Sequence, residues 1–390
     1  MNIIHFSPHF PENYYAFSVA LKRLGATVLG IGDAAYDGLR PELKGALAEY
    51  YRVDSMEDYD QVIRAVGYFI HRHGRMDRID SFNEHWLDLE AQVRTDFNLF
   101  GLRSGEIETV KRKSRMKERF LAAGVPVARG TVIADEAAAR AFIREVGYPV
   151  VAKPDRGVGA LHTYKLSIEA DLQKFFATKP AVEYIMEEFI EGDISSFDGL
   201  TDRDGKVVFS TAHAYMQGIM ETVNEDDHIY YYSYRDIPKD LETAGLNTVR
   251  AFDIRERFFH IEFFRTHRDG RIVALEVNMR PPGGYTTDMF NYANDIDIYQ
   301  EWANVVVQNT FKARAERKYH CAYVGRKNSK RYVHSHEQVL DRLRGLIVHH
   351  TPVSGVFRAA IGDYGYLVRS GDLAVVREAI AFIHETKSGR

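Results

Sequence analysis

The sequence predicts an α/β (α+β) protein with a parallel sheet in its N-terminal domain and a strand-rich C-terminal lobe. Three observations carry this. Over residues 1–100, short apolar runs alternate with amphipathic helical stretches, the pattern of strands joined by helical crossovers. Beyond residue 193, strand patterns follow one another with short turns between them. After about residue 286 helices and strands alternate again.

Taken in order, NIIHF at 2–6 is a strand, and Tyr14, Phe17, Ala20, Leu21 and Leu24 mark a helix over 13–24 with Gly25 as its C-cap. TVLGIG at 27–32 is a strand, 58–74 a helix ending in glycine, RIDSF at 78–82 a strand and 85–96 a helix. This sheet carries no GxGxxG, so a dinucleotide site on it is not supported. A basic helical stretch over 106–123 closes at GVPV, followed by TVI at 131–133, a helix at 135–146 and YPVVAKP at 148–154. Then come the strands ISSFDGL, KVVFSTAHAY and HIYYYSYRD, a helix at 238–251, and RFFHIEFF and RIVALEVN joined by the turn HRDG. A helix at 286–309, a strand near 320, a helix at 336–346, two strands at 355–368 and a helix at 371–386 complete the chain.

A length of 390 residues suits two or three domains. A net charge of -4 with no sustained charge run gives no reason to expect a nucleic-acid partner. The single cysteine, Cys321, excludes an intrachain disulfide and fits a reduced cytoplasmic location. The N-terminus does not read as a signal peptide, and no apolar stretch is long enough to cross a bilayer, so no membrane partner is expected. The 23 Tyr and 23 Phe are read as core packing rather than as a stacking platform.

Four segments could do chemistry. Lys113 precedes an amphipathic helix, where a lysine is either a solvated surface residue or a phosphate ligand. Lys153 ends an apolar strand and is followed by Gly157 and Gly159, whose freedom lets backbone N–H groups converge on phosphate; an ordinary turn is the alternative. In EYIMEEFIEGD an apolar strand runs into acids and then Phe189 and Ile190, a hinge that can present backbone groups to a planar base. The sharpest is HIEFFRTHRDGRIVALEVNMRPPGG. Glu262 lies in one strand and Glu276 in the next, with Asn278 and Arg280 at alternating positions after it. Two carboxylates and an amide oxygen among apolar neighbours call for a cation, and such hard oxygen donors suit Mg²⁺.

Together these segments resemble the ATP-grasp superfamily, which includes biotin carboxylase, D-alanine–D-alanine ligase and carboxylate–amine ligases. The resemblance covers about residues 1–310. It implies an N-terminal Rossmann-like domain at 1–104, a linker helix and lid at 105–192, and a large mixed-sheet lobe at 193–390. It places Lys113, Lys153, Gly157 and Gly159 on the phosphates of ATP, and Glu187, Glu188, Phe189 and Ile190 at the adenine. Asp193 is the nearest acid for the ribose, because Ile194 stands where many relatives carry one. Glu262, Glu276 and Asn278 would hold Mg²⁺ (or Mn²⁺), and Arg280 with the N–H groups of Gly283 and Gly284 would stabilise an acyl phosphate. Leu161, His162 and Thr163 replace the usual third glycine of the lid loop. No biotinyl segment or second copy is present. The implied reaction joins a small-molecule carboxylate to an amine with release of ADP and phosphate. His213, Tyr215, His228 and Glu84 are candidate substrate contacts, and a homodimer is compatible. A bicarbonate-activating carboxylase and a non-catalytic ATP-binding regulator are the alternatives.

Overall fold

Strands β1 (Asn2–Phe6), β2 (Thr27–Gly32), β3 (Glu49–Arg52) and β4 (Arg78–Asp80) form a parallel sheet in the order β3-β2-β1-β4. In this computed structural model, which describes residues 1–157, 162–216, 227–355 and 357–387, the alternation seen in the sequence is thus a βαβ sheet. Helices Tyr15–Arg23 and Tyr59–His73 cover it with Phe17, Ala20 and Leu21, and with Val62, Ala65, Val66 and Phe69. Asp58 caps the second helix by accepting a hydrogen bond from the Gln61 N–H. β3, an EYYR segment without clean alternation, was not anticipated.

Strands β5 (Gly130–Ile133), β6 (Val150–Pro154), β7 (Tyr164–Leu166) and β8 (Tyr184–Glu188) make an antiparallel sheet in the order β5-β8-β6-β7. Helices Glu136–Val146 and Glu169–Thr178 close a small core on it with Ala139, Phe142, Leu172 and Phe175. The helix expected over 106–123 is two, Glu108–Lys111 and Lys113–Ala122, separated by extended Arg112. The break follows from where Arg112 must reach: its guanidinium meets Glu108, Asp155 and Glu183, and its backbone bridges Arg156. Met116 and Phe120 of the second helix join the core of the C-terminal lobe.

That lobe is built on β9 (Gly192–Thr201), β10 (Val207–Tyr215), β11 (Ile229–Ser233), β12 (Phe258–Thr266), β13 (Ile272–Asn278), β14 (His320–Arg326), β15 (Ile347–Pro352) and β16 (Tyr364–Ser370). They form one eight-stranded sheet in the order β13-β12-β9-β10-β11-β14-β16-β15. The lobe was expected to hold a mixed sheet, yet the strands named here pair antiparallel, whether joined by a turn, as β12 and β13 are, or brought together from distant segments, as β12 and β9 are. Among the described residues, a parallel bridge joins Val127 to Ala274 on β13. The helix expected over 286–309 is also two, Thr286–Asn294 and Ile298–Gln308. Asp295 adopts the left-handed cap conformation, and Asp297 caps the next helix through the Gln300 N–H. Of the strands expected at 355–368, the first lies earlier, at β15, and Arg358–Ile361 is a helical turn. No described helix is long and apolar enough to cross a membrane.

Phe17 and Phe82 of the N-terminal domain pack against Trp302, Tyr299 and Phe258 of the lobe. A polar cluster joins the same two parts. Asn13 Nδ2 donates to Asp288 Oδ2 at 2.8 Å, and Tyr299 OH donates to Asp288 Oδ1 at 3.1 Å. Burial nevertheless pushes the Asp288 carboxyl up to about 6, against the pull of these two donors.

Two outcomes follow. Alanine for glycine inside a helix ordinarily stabilises by about 1 kcal/mol. At Gly245, in helix Lys239–Ala251, a Cβ would lie 2.2 Å from Phe197 Cδ1, so Gly245→Ala is expected to destabilise instead. A loss of about 1–3 kcal/mol should appear as a lower urea midpoint at unchanged slope. The second concerns Asp288. A raised carboxyl value means that the folded state binds the proton more tightly than the unfolded chain. Its contribution to stability therefore falls as pH rises from about 4 to about 6 and stays low above that. In Asp288→Asn this slope is absent, so stability of the variant relative to wild type should rise by about 2 kcal/mol between pH 4 and 7 in urea titrations.

Candidate active site

The hairpin β12–β13 sets Glu262 directly opposite Glu276, and His260 opposite Asn278. Strand alternation puts all of them on one face of the large sheet. Glu276 is held above the ordinary carboxylate range, first by burial and also by the like charge of Glu262; Lys113 and Lys153 pull the other way. Charges from segments far apart in the sequence thus act on this one carboxyl. The donor set fits a hard cation: two carboxylates whose mutual repulsion a positive ion relieves, with an amide oxygen one pair further along. Among the described residues no group of three or more His, Cys, Asp or Glu could hold a metal, so an ion here needs part of its shell from phosphate or water.

The cations come from two elements. Lys153, near the end of β6, pairs with Glu187 of β8 at 2.7 Å, and Lys117 reaches the other oxygen of Glu187 at 2.8 Å. Burial opposes the charge on Glu187, but the two lysines outweigh it and hold the carboxyl below its usual range. Burial lowers the Lys117 ammonium. Lys113 Nζ donates to the Gly157 carbonyl at 3.2 Å, and Ser114 N to Asp155 Oδ1 at 2.8 Å. Lys117 was missed by the sequence reading, although its spacing of four from Lys113 puts both on one helix face. Gly159 lies outside the described residues.

Beyond Glu187 the hinge residues diverge. The Glu188 carboxylate is turned to Arg129, with an ion pair at 2.7 Å and a hydrogen bond from the Arg129 N–H at 2.8 Å. Lys165 Nζ lies 3.9 Å from the centre of the Phe189 ring, and Ile190 is half-buried. Asp193 stands on the other face of the sheet from the carboxylates. It has the opposite strand parity to Ser196 and Asp198, its side chain is exposed, and it meets His267 at 3.1 Å.

Arg280 lies two residues past the end of β13. Its Nε donates to Glu84 Oε2 at 3.2 Å, its Nη2 to Asn278 Oδ1 at 3.4 Å and its Nη1 to the Pro281 carbonyl at 2.9 Å. Lys111 holds the other oxygen of Glu84 at 3.0 Å. Glu84 opens a short turn after β4, capped by Asn83, at the strand ends where parallel sheets meet ligands. Gly284 has φ +62, a left-handed conformation that favours glycine, and the Gly283 carbonyl accepts from Thr286 Oγ1 at 2.8 Å.

His213 is fully buried on the carboxylate face, within a relay that sequence reasoning did not find. Its Nδ1 lies 2.8 Å from Asp198 Oδ2, while Asp198 Oδ1 meets His260 Nδ1 at 2.5 Å and His260 Nε2 lies 3.6 Å from Glu262. Asp198 and Glu262 together raise His260 to about 9 in spite of its burial. The signal for this relay was present, since His260 stands two residues before Glu262. Tyr215 stacks on Tyr231 at 5.0 Å, further along the same face, and burial raises its phenol well above the usual range. His228 sits apart from these, at the start of β11, stacked on His384 at 4.3 Å.

Comparisons with known proteins bear on the fold that carries this site. Residues 146–288 match the family model described as ATP-grasp domain. An L-arginine-specific L-amino acid ligase of Bacillus subtilis is 23% identical over 266 residues, 66% of this chain and 64% of that ligase, so the match spans less than two thirds of the relative. The crystal structure of an L-amino acid ligase from Bacillus licheniformis superposes with a TM-score of 0.76 at 16% identity, covering 97% of this chain and 95% of that one. An N5-carboxyaminoimidazole synthetase from Staphylococcus aureus, complexed with ADP, gives 0.72 at 13% identity, covering 97% and 95%. Sheet order and these likenesses lead to one conclusion: this chain has the ATP-grasp fold, and its residues 146–288 match the ATP-grasp domain model.

Proposed function

We propose that the chain is an ADP-forming ligase that activates the carboxylate of an α-amino acid and joins it to an amine. One observation carries the reading. The carboxylate pair Glu262–Glu276 lies within electrostatic reach of Lys113 and Lys153, and a mixed-charge pair, Glu84 with Arg280, stands beside it. A nucleotide-binding regulator has no use for Glu84 and Arg280 in that position. An α-amino acid does, since its ammonium suits Glu84 and its carboxylate suits the planar guanidinium. The names of the amino acid ligases from the two Bacillus species support the same substrate class.

Lys113 and Lys153 hold the phosphates of ATP, and the end of β8 at Glu187, Phe189 and Ile190 receives the base. Glu262, Glu276 and Asn278 would hold Mg²⁺ or Mn²⁺, which supplies charge neutralisation across the phosphates. A carboxylate oxygen of the substrate, aligned by Arg280, attacks the γ-phosphorus, and ADP leaves. The amine then attacks the acyl carbon of the resulting acyl phosphate while Arg280 and the N–H groups of Gly283 and Gly284 stabilise the oxyanion. Phosphate departs, the nitrogen loses its proton and an amide remains.

Chromatography of a turnover mixture supplied with pairs of L-amino acids is expected to show ADP and phosphate; AMP with pyrophosphate would contradict the mechanism. Phosphate release that needs bicarbonate and no amino acid would favour a carboxylase instead. Arg280→Lys keeps the charge and loses the fork. It should lower kcat by about a hundredfold while the ATP dissociation constant from calorimetry stays within about threefold. A drop in melting temperature with normal kcat per folded molecule would make Arg280 a structural residue.

A further inference from the structure

Two buried charged residues outside the site close a ring of contacts around it. Glu90, on helix Leu87–Asp96, is fully buried. Its Oε1 accepts from the Ser81 N–H at 2.5 Å and also from the Ser81 hydroxyl, at the start of the segment that carries Glu84. Its Oε2 accepts from Arg257 Nη2 at 2.8 Å. Arg257, just before β12, donates its Nε to the Met279 carbonyl at 2.7 Å. Met279 is the residue between Asn278 and Arg280. The ring then closes where Arg280 meets Glu84 at 3.2 Å.

We propose that Glu90 and Arg257 are positioning residues that set the Arg280 guanidinium against Glu84, a role that rests on Arg280 acting in the ligation described above. A buried ion pair is weak support for stability, because the desolvation of both charges offsets their attraction. What this pair supplies is direction. The Arg257 guanidinium lies between an acid of the N-terminal domain and a backbone carbonyl of the catalytic segment, and its planar fork serves both at once. Lysine, with a single ammonium on a flexible stem, cannot reproduce both hydrogen bonds in that geometry. The position of Arg280 is thereby tied to the packing of one domain on the other.

The test uses the full chain with Arg257→Lys and, as a variant that keeps side-chain shape, Glu90→Gln. Melting temperature, ATP affinity by calorimetry and kcat are measured on each, together with the Nε–H resonance of Arg280 in protein labelled with ¹⁵N-arginine. That resonance is identified by its loss in Arg280→Lys. The expected result for Arg257→Lys is a folded protein with ATP affinity within about threefold, a displaced Arg280 resonance and kcat lower by about tenfold or more. Glu90→Gln should move the same resonance in a protein that still binds ATP. Placed in the Arg280→Lys background, Arg257→Lys should cost less than about twofold further, because both act through one group. An unmoved resonance, or kcat losses that multiply in the double variant, would overturn the proposal. If no carboxylate and amine pair supports turnover, the ligase reading fails while the resonance still decides the positioning role.

Discussion

Two carboxylates set directly opposite each other on adjacent strands, half-shielded from water, repel one another unless cations stand within reach. Glu262 and Glu276 impose that condition, and much of the surrounding architecture meets it. Lys113 comes from the helix beneath the hairpin, Lys153 from the small antiparallel sheet above, and Arg280 from the turn that leaves β13. Each element has its own local reason to form. Only the large sheet, by fixing the register of β12 on β13, brings the charges into one place.

The N-terminal domain contributes in a different way. Its parallel sheet aims the loops after β1 and β4 at the segment following β13, where Tyr14 OH donates to the Pro282 carbonyl at 3.1 Å and Glu84 meets Arg280. The interface is held by aromatic packing around Phe17, Phe82 and Trp302, and by charges that are buried as well. Arg78 pairs with Glu256 across the two parts at 2.6 Å, close to the Glu90–Arg257 pair. A chain that buries several charges at such a seam gains fixed geometry more than stability.

Much of this was legible in the residues themselves. Period-two alternation in HIEFF and ALEVN, with HRDG between them, is local information, and the observed hairpin has the expected pairing. The lysine at the end of VVAKP and the apolar run before Glu187 are likewise local. Other features depend on which strands lie side by side. Asp198 sits in the expected strand ISSFDGL, but its role emerges only once β9 is placed between β10 and β12, where it meets a histidine from each. Asp193 could be assigned only by strand parity, and that parity turns it away. The break at Arg112 reflects three acids from different segments, which no helical periodicity reveals.

Helix Lys113–Ala122 lies between the small sheet and the large one, and its two sides differ in kind. Met116 and Phe120 are buried in the core of the large lobe. Toward the small sheet it offers polar contacts: Lys113 to Gly157, Ser114 to Asp155 and Lys117 to Glu187. Hydrogen bonds and ion pairs exchange for water or phosphate at small net cost, whereas exposing two large apolar side chains does not. The molecule therefore has a seam along the polar edge of this helix. If the small sheet swings outward, Lys153 and Glu187 travel with it and Lys113 stays with the carboxylates. Lys113 and Lys153 thus stand on opposite sides of that seam, and the Lys117–Glu187 ion pair spans it.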